Sequence, residues 1–488
     1  MTKSIKRELL SGLKWVAMGR LFTQLISWSM TFFVLRLLSP SDYGLVALSG
    51  AITVLFGLIA EFGFAAAITQ ARVIEKNQLA SLFGFALLLN IGFTLLLVVT
   101  APLIAQFYSE QRLSLIIQVA SCQFVISALG ILPDAHLRRA MRFRELTKID
   151  FLSGIFAGVL TLVFAYNGWG YWSLVLSPLF GSALRSLLLH LHNRAWVWPS
   201  LSLAPVRSLV QFGGLTMTGR IIGHFSSQMD ILIAGAFLGR EALGVYSVAM
   251  QLAAMPLSKT MGVINQVTSP AISRMNHEGT ISGNGLLMGG KLVAYLLFPV
   301  AWGLAAVAPF VVSILMGEKW NEAILPLQLV CLALPLRAVC TLLTTAVSAV
   351  GRADIDLKNT LTGLYILPVC LLAGVQYGVI GLSLAWLFAI PVITFFIVRR
   401  AREILGFSFK DLLGALAGPF FTTLIMFVAV TLFTMTVREH SGSLLYFISA
   451  TLLGILSYFL AFFLVDKKSL IQFMQLITQK SFSNSSSI

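Results

Sequence analysis

The sequence predicts an all-α, polytopic membrane protein with about fourteen transmembrane helices, arranged as two pseudo-symmetric six-helix lobes followed by two C-terminal helices. Three observations support this fold class. The chain is 58% hydrophobic and 11% charged, with a mean hydropathy of +0.89, which is too apolar for a soluble globular protein. Apolar runs of about 18 or more residues recur along its whole length. Finally, the second half repeats features of the first half in the same order.

The repeat is clearest around the first and seventh predicted helices. Arg20, which follows a glycine, recurs as Arg220, which also follows a glycine, and Gly44 recurs as Gly244 in the next turn. Many transporters use parallel repeats of this kind to build two lobes around a central cavity.

The apolar runs define the predicted spans and the domains. The candidate spans are 13 to 38, 45 to 69, 80 to 104, 113 to 133, 149 to 167, 169 to 191, 212 to 238, 245 to 269, 288 to 315, 326 to 349, 359 to 376, 379 to 398, 413 to 434 and 443 to 465. The predicted domains are an N-lobe at 1–193, a cytoplasmic interfacial linker at 194–211, a C-lobe at 212–400, the additional helices at 401–466 and a cytoplasmic amphipathic tail at 467–488.

Basic residues concentrate in alternate loops. One set of loops carries most of the lysines and arginines, whereas the opposite set carries only Arg112, Arg240, Lys319 and Arg438. By the positive-inside rule both termini are expected in the cytoplasm. The net charge of +15 therefore points to membrane lipids as contacts and not to nucleic acid.

Three arginines within the predicted spans are the main candidates for a binding site. Arg20 lies about 10 Å along its helix at 1.5 Å per residue, and a cation at that depth is costly unless water or an anion reaches it. Its repeat counterpart Arg220 lies at a similar depth, and Arg337 lies near the predicted midplane. We expect these three side chains to line a cationic cavity.

Other ionisable groups in the spans leave two interpretations open. Lys259 and Arg185 reach a comparable inner depth, so they either line the same cavity or extend to the inner headgroups. Glu61 lies level with Arg20, and Asp230 lies toward the outer third of its helix. Each of these two carboxyl groups is either a charge partner or a group that takes part in ion coupling.

Four segments carry a family resemblance. They are LSPSDYGLVALSGAI at 38–52, EFGFAAAITQ at 61–70, LRRAMRFRELTKIDF at 137–151 and GEKWNEAILPLQLVCL at 317–332. Together they resemble the polysaccharide-transporter branch of the multidrug/oligosaccharidyl-lipid/polysaccharide (MOP) exporter superfamily, and within it the Wzx-type exporters of the colanic acid kind. The resemblance covers essentially the whole chain.

This resemblance implies a MATE-like fold and a flippase of the bacterial inner membrane. The substrate would be an undecaprenyl-diphosphate-linked oligosaccharide, moved from the cytoplasmic to the periplasmic leaflet for exopolysaccharide, capsule or O-antigen synthesis. Arg20, Arg220 and Arg337 would bind its diphosphate through charge-assisted hydrogen bonds. The resemblance implies alternating access, coupling to H⁺ or Na⁺ with no bound cofactor or metal, and a polysaccharide polymerase or export machinery as a further partner.

Three alternatives stay open at this point. A lipid II-type flippase and a MATE-like cation-coupled drug antiporter belong to the same superfamily, although a cavity for cationic drugs should be acidic. A membrane oligosaccharide polymerase or ligase would be an enzyme, and it would need catalytic groups in a sizeable outer loop. The outer loops are short and carry no paired carboxylates or histidine clusters, so we expect no catalytic residue.

Overall fold

The structure is a computed structural model. It describes residues 28–61, 76–192, 197–200, 202, 207–277, 283–437 and 443–467. The predicted amphipathic tail lies outside the described residues from position 468 onward.

The described residues form fourteen α-helices and no strand, and each predicted span corresponds to one helix. The helices are α1 Trp28–Leu37, α2 Pro40–Glu61, α3 Lys76–Phe107, α4 Arg112–Arg139, α5 Phe143–Tyr166, α6 Trp172–His192, α7 Arg207–Phe237, α8 Gly239–His277, α9 Gly283–Val311, α10 Ile324–Ala349, α11 Ala353–Val375, α12 Gly378–Leu405, α13 Phe409–Thr436 and α14 Leu444–Val465.

Ten of these helices are long and apolar enough to cross a membrane, when the described residues are searched. A hydrocarbon core about 30 Å thick requires about 20 apolar residues in a helix. The prediction of an all-α, multi-pass membrane protein is therefore confirmed, whereas the count of fourteen spans stays a prediction.

The chain divides into two compact units, Met1–Gly244 and Val245–Ile488. These units are defined by the contacts between residues, whereas the predicted lobes are defined by the internal repeat in the sequence. The lobes stay a prediction. In the first unit, α3 packs against α4, α4 and α5 pack against α6, and α7 packs against α2. Because α7 contacts α2, the first unit extends past the predicted linker at 194–211.

The cores of the first unit consist of small apolar clusters between neighbouring helices. Leu45, Ile116 and Val175 join α2, α4 and α6. Leu146 and Leu189 belong to another cluster, which joins the end of α4, the start of α5 and the end of α6. These clusters hold the polar side chains of α4, α5 and α6 in fixed positions.

In the second unit, α12 packs against both α10 and α11, and α9 packs against α10 and α13. The two additional helices, α13 and α14, pack against each other and contact α9. Asp466, which follows α14, accepts a hydrogen bond from Tyr295 Oη at 2.6 Å and pairs with Lys291 Nζ at 2.8 Å. Since Lys291 and Tyr295 lie on α9, this ionic contact attaches the additional pair to the second unit.

Two helix starts show the same local signal, the capping box. Ser408 and Asp411 bond each other's backbone N–H groups at the start of α13. At the start of α2, Asp42 Oδ2 accepts from the Ser39 N–H at 3.0 Å, and Ser39 Oγ accepts from the Asp42 N–H at 3.3 Å. Asp42 Oδ1 also accepts from the Tyr171 N–H at 3.1 Å, so this cap connects α2 to the turn before α6.

Candidate substrate-binding site

The structure places the predicted cavity residues on different helices. Arg20 lies outside the described residues. Arg220 and Lys259 lie on the described backbones of α7 and α8, and Glu61 is the last residue of α2, but the side chains of these three residues lie outside the description. Their predicted roles therefore stay predictions.

Arg337 lies on α10 in the second unit and is exposed. Its guanidinium carbon lies 5.0 Å from the centroid of the Trp386 ring on α12. Trp386 is buried and donates a hydrogen bond from Nε1 to the hydroxyl of Tyr246 at 2.8 Å. The ring is thus fixed between α8 and α10, and it supports the guanidinium by a cation–π contact.

A polar stripe continues from Arg337 along α10. Arg337, Thr341, Thr344 and Ser348 are spaced three or four residues apart, so they lie on one face of the helix, which we call the α10 polar face. All four residues are partly or fully exposed. The Thr341 and Thr344 hydroxyls donate to backbone carbonyls one turn earlier, at 3.0 Å each, so each oxygen can still accept a further hydrogen bond.

The composition of the α10 polar face differs from that of a lipid-facing surface. On α14, for comparison, the exposed positions other than Thr451 are apolar and include Leu445, Leu452 and Leu456. Polar and cationic side chains within membrane helices mostly face a bundle interior or a water-filled cavity. The α10 polar face therefore fits a surface that contacts water and a hydrophilic ligand.

Arg185 lies on α6 and forms a cluster of four charges in the first unit. Its Nη2 donates to Asp134 Oδ1 on α4 at 2.7 Å, and its Nε donates to Asp150 Oδ1 on α5 at 2.8 Å. Arg138 Nε donates to the other oxygen of Asp134 at 2.6 Å. The cluster of Asp134, Arg138, Asp150 and Arg185, which we call the inner charge cluster, has equal numbers of cations and carboxylates.

Sequence reasoning did not single out Asp134 and Asp150. Asp134 precedes Arg138 by four residues, a spacing that favours an ion pair on a helix face, and this signal was available. Asp150 gave no such signal, because its partner Arg185 lies 35 residues away on another helix. Tyr246 and Trp386, which support Arg337, were also missed.

Asp230 lies on α7 and is buried, with 2% of its surface exposed. Its Oδ1 accepts a hydrogen bond from the N–H of the next residue, Ile231, at 2.8 Å. Both predicted roles, charge partner and ion coupling, stay open for this carboxyl group. No group of three or more metal-ligating side chains occurs among the described residues.

Within the first unit, the start of α2 contacts the start of α8 through two glycines that are equivalent in the predicted repeat. A Cβ atom built on Gly44 would overlap the carbonyl of Arg240, and one built on Gly244 would overlap the carbonyl of Pro40. The two overlaps are reciprocal, since each involves a carbonyl four residues before the other glycine. Backbone approaches this close require a residue without a side chain.

A cavity of about 280 Å³ lies beside this contact and is lined in part by Tyr108, Glu110 and Arg240. Arg240 Nη1 donates to Glu110 Oε2 at 3.0 Å. Burial raises the pKa of the Tyr108 hydroxyl above its ordinary value. The charges of the loops predict that this end of the first unit faces outward.

Comparisons with known proteins identify the family. The model of the family described as polysaccharide biosynthesis protein matches residues 33–325, which is more than half of the chain. Teichuronic acid biosynthesis protein TuaB of Bacillus subtilis is 25% identical over 81% of this chain and 82% of its own length. Lipopolysaccharide biosynthesis protein WzxC of Escherichia coli is 26% identical over 86% of both chains. Succinoglycan biosynthesis transport protein ExoT of Rhizobium meliloti is 25% identical over 89% of this chain and 88% of its own length.

Solved structures show the same fold. Lipid II flippase MurJ in an inward closed conformation has a TM-score of 0.74 and 15% identity, and the match covers 95% of this chain and 99% of MurJ. An inward-facing MATE transporter of the MOP superfamily has a TM-score of 0.60 and 16% identity, over 79% of this chain and 96% of the transporter. The resemblance seen in the four sequence segments is confirmed, and the chain belongs to the polysaccharide biosynthesis protein family.

Proposed function

We propose that this protein is a flippase that moves an undecaprenyl-diphosphate-linked oligosaccharide across the bacterial inner membrane for exopolysaccharide, capsule or O-antigen synthesis. Membership of the polysaccharide biosynthesis family supports this class of substrate, and the name of ExoT, a transport protein for succinoglycan biosynthesis, supports transport. The observation that carries the proposal is the α10 polar face, because it combines an exposed cation with hydroxyl groups on a membrane helix.

The substrate presents two problems that this surface addresses. Its diphosphate is an anion that must leave water, and a guanidinium compensates this loss with charge-assisted hydrogen bonds. The contact with Trp386 limits the motion of Arg337, so less entropy is lost when the anion binds. The sugars carry many hydroxyl groups, which can exchange hydrogen bonds with Thr341, Thr344 and Ser348 as they move along the helix.

In the proposed transport cycle, further positive charge in the cavity comes from Arg20, Arg220 and Lys259. Both termini of the chain face the cytoplasm in this proposal. The protein alternates between inward-open and outward-open states, with H⁺ or Na⁺ coupled through Glu61 or Asp230. A polysaccharide polymerase or the export machinery receives the product in the periplasm.

The role of Arg337 is tested by transport in reconstituted vesicles. The flipped fraction of a fluorescent undecaprenyl-diphosphate oligosaccharide is measured by its accessibility to a membrane-impermeant quencher. Arg337→Ala is expected to lower the initial rate roughly 10- to 150-fold, since hydrogen bonds to charged groups contribute about 1.5–3 kcal/mol each. Arg337→Lys keeps the charge but loses the planar fork, so it is expected to recover only part of the rate.

Arg402→Ala is the matched control. Arg402 is also an exposed arginine over an aromatic ring, 5.4 Å from the centroid of Phe409, but it lies in the last turn of α12 away from the α10 polar face. Transport by the control should equal that of the wild type. Full transport by Arg337→Ala would contradict the proposal, and transport of lipid II in place of the oligosaccharide would redirect it to a lipid II-type flippase.

A further inference from the structure

The inner charge cluster brings together two guanidinium groups and a half-exposed carboxylate. We propose that Arg138 and Arg185, held by Asp134, form a binding site for a phosphate or diphosphate ester, and that Asp150 fills this site when no ligand is bound. The identity of the ester as the diphosphate of a lipid-linked sugar rests on the proposed function. The site itself rests on the geometry of α4, α5 and α6.

Asp134 holds the two arginines together. Its two oxygens accept from Arg185 Nη2 at 2.7 Å and from Arg138 Nε at 2.6 Å, and only 12% of its side chain is exposed. A carboxylate that is buried and bonded on both oxygens keeps its position. Asp134 therefore keeps two guanidinium groups close together, despite their repulsion, on adjacent helices.

Asp150 differs from Asp134 in exposure and in bonding. Half of its side chain is exposed, 51%, and it accepts from Arg185 Nε at 2.8 Å. Carboxylates and phosphates bind guanidinium groups in the same geometry, through oxygens that accept from N–H groups. An ion pair exposed to this extent contributes little stability, so a phosphate group can take the place of the Asp150 carboxylate at low cost.

The surroundings favour an anionic ligand that arrives from the inner side. The segment from Arg138 to Lys148 is exposed at most positions and carries five basic residues against one acidic residue, Glu145. It lies at the inner end of the first unit according to the charge distribution of the loops. A diphosphate that approaches along this segment meets the inner charge cluster first.

Polar groups continue from this cluster toward the middle of the first unit. Ser182, one turn before Arg185 on α6, donates to Gln123 Oε1 on α4 at 2.9 Å. Gln123 Nε2 in turn contacts Ser127 Oγ at 3.3 Å. Gln123, Ser127, Asp134 and Arg138 share one face of α4 by their spacing, so a sugar attached to the bound phosphate has hydrogen-bonding partners ahead of it.

The test is equilibrium binding to the purified full-length protein at low ionic strength, measured by calorimetry. The probes are inorganic pyrophosphate, farnesyl diphosphate and a soluble short-chain phosphatidylglycerol. Asp150→Asn removes the competing charge but keeps the shape of the side chain. It is expected to tighten binding roughly two- to fivefold, which corresponds to the free energy that a partly exposed ion pair contributes.

Two further variants make the result specific. Glu145→Gln removes one negative charge from the same basic segment, but Glu145 pairs with Arg142 at 2.7 Å and not with the two arginines of the inner charge cluster. It should therefore tighten binding less than Asp150→Asn does. Arg138→Gln should weaken binding roughly tenfold, through the loss of a charged hydrogen-bond donor. Tighter binding of both diphosphates by Asp150→Asn supports a diphosphate site, and tighter binding of phosphatidylglycerol alone assigns the site to a lipid phosphate.

If Asp150→Asn binds all three probes equally or more weakly than the wild type, Asp150 is a structural ion-pair partner and the proposal is wrong. If Asp150→Asn fails to fold, Arg138→Gln tests the proposed site instead. Unchanged binding by Arg138→Gln would also overturn the site. Transport by the wild type is measured in the same preparations. A wild type that transports the oligosaccharide while Asp150→Asn shows no gain refutes this site alone, whereas a wild type without transport refutes the proposed function.

Discussion

The contact between Gly44 and Gly244 lies at the end of the first unit that the loop charges predict to face outward. In the proposed transport cycle, separation of the two glycines would open this end. A methyl group at position 44 would overlap the carbonyl of Arg240, and one at position 244 would overlap the carbonyl of Pro40. Neither overlap can be relieved by a change of rotamer, because both obstacles are backbone atoms. The helix starts must therefore separate if either glycine becomes alanine.

The magnitude follows from the cost of overpacking. Inserting a methylene group into a well-packed contact costs about 1–3 kcal/mol. In the proposed transport cycle this cost applies only to the state in which the starts of α2 and α8 touch, the closed state. The equilibrium between the closed and open states should therefore shift about 5- to 150-fold toward the open state. The gain in helix propensity from glycine to alanine, about 1 kcal/mol, applies to both states and does not affect the shift.

The assay is cross-linking of Glu110→Cys with Arg240→Cys, in a chain whose four native cysteines are replaced. These two residues form an ion pair at 3.0 Å beside the glycine contact, so a short bifunctional thiol reagent joins them only when this end is closed. Gly44→Ala and Gly244→Ala are both expected to slow cross-linking, and to the same extent because the contact is reciprocal.

Gly50→Ala is the control, since it makes the same change on α2 at a position with no heavy atom within 4 Å of the new methyl group. It should cross-link at the wild-type rate. If Gly44→Ala also cross-links at that rate, the glycine contact does not determine closure and the reasoning is refuted.

Two further predictions concern stability. Asp466→Asn should lower the free energy of unfolding by about 1–3 kcal/mol, because Lys291 and Tyr295 lose a charged acceptor in a mostly buried contact. Thermal unfolding in detergent measures this loss, and an unchanged unfolding temperature would show that α13 and α14 do not depend on that contact. Asp42→Ala should destabilise the protein more than Asp411→Ala does, since both remove a capping box but only Asp42 also binds the backbone of Tyr171. Equal losses of stability in the same assay would contradict a role for the bond to Tyr171.

The sequence predicted the fold class and the positions of the helices well. The physical reason is that the thickness of the membrane sets the length of an apolar run, so a long apolar helix can be recognised without knowledge of its neighbours. Arg337 was also singled out from the sequence, because a cation within an apolar run is conspicuous, and its role in binding stays a prediction. The comparison of the two halves placed Gly44 and Gly244 at equivalent positions of the predicted repeat.

The contacts between helices could not be predicted in this way. Arg185 meets Asp150 and Asp134 across 35 and 51 residues, and apolar periodicity does not specify which helices become neighbours. The α10 polar face was also missed, because threonines in membrane helices commonly bond to their own backbone and therefore give an ambiguous signal. Only the exposure of these residues beside Arg337 distinguishes a polar surface from threonines that merely bond to their own helix.

The predicted repeat makes the helices of the two polar surfaces equivalent. Counted along the chain, α4 is the fourth helix of the first predicted lobe and α10 is the fourth helix of the second, and each carries a polar face. On α4 that face ends in a cluster in which two carboxylates balance two arginines, whereas on α10 it begins at an arginine supported by a tryptophan. A balanced cluster releases an anion easily, because a carboxylate can replace it, while a guanidinium over an aromatic ring holds an anion more strongly. Each unit is therefore expected to bind an anion with a different strength, weakly at the inner charge cluster and more strongly at Arg337.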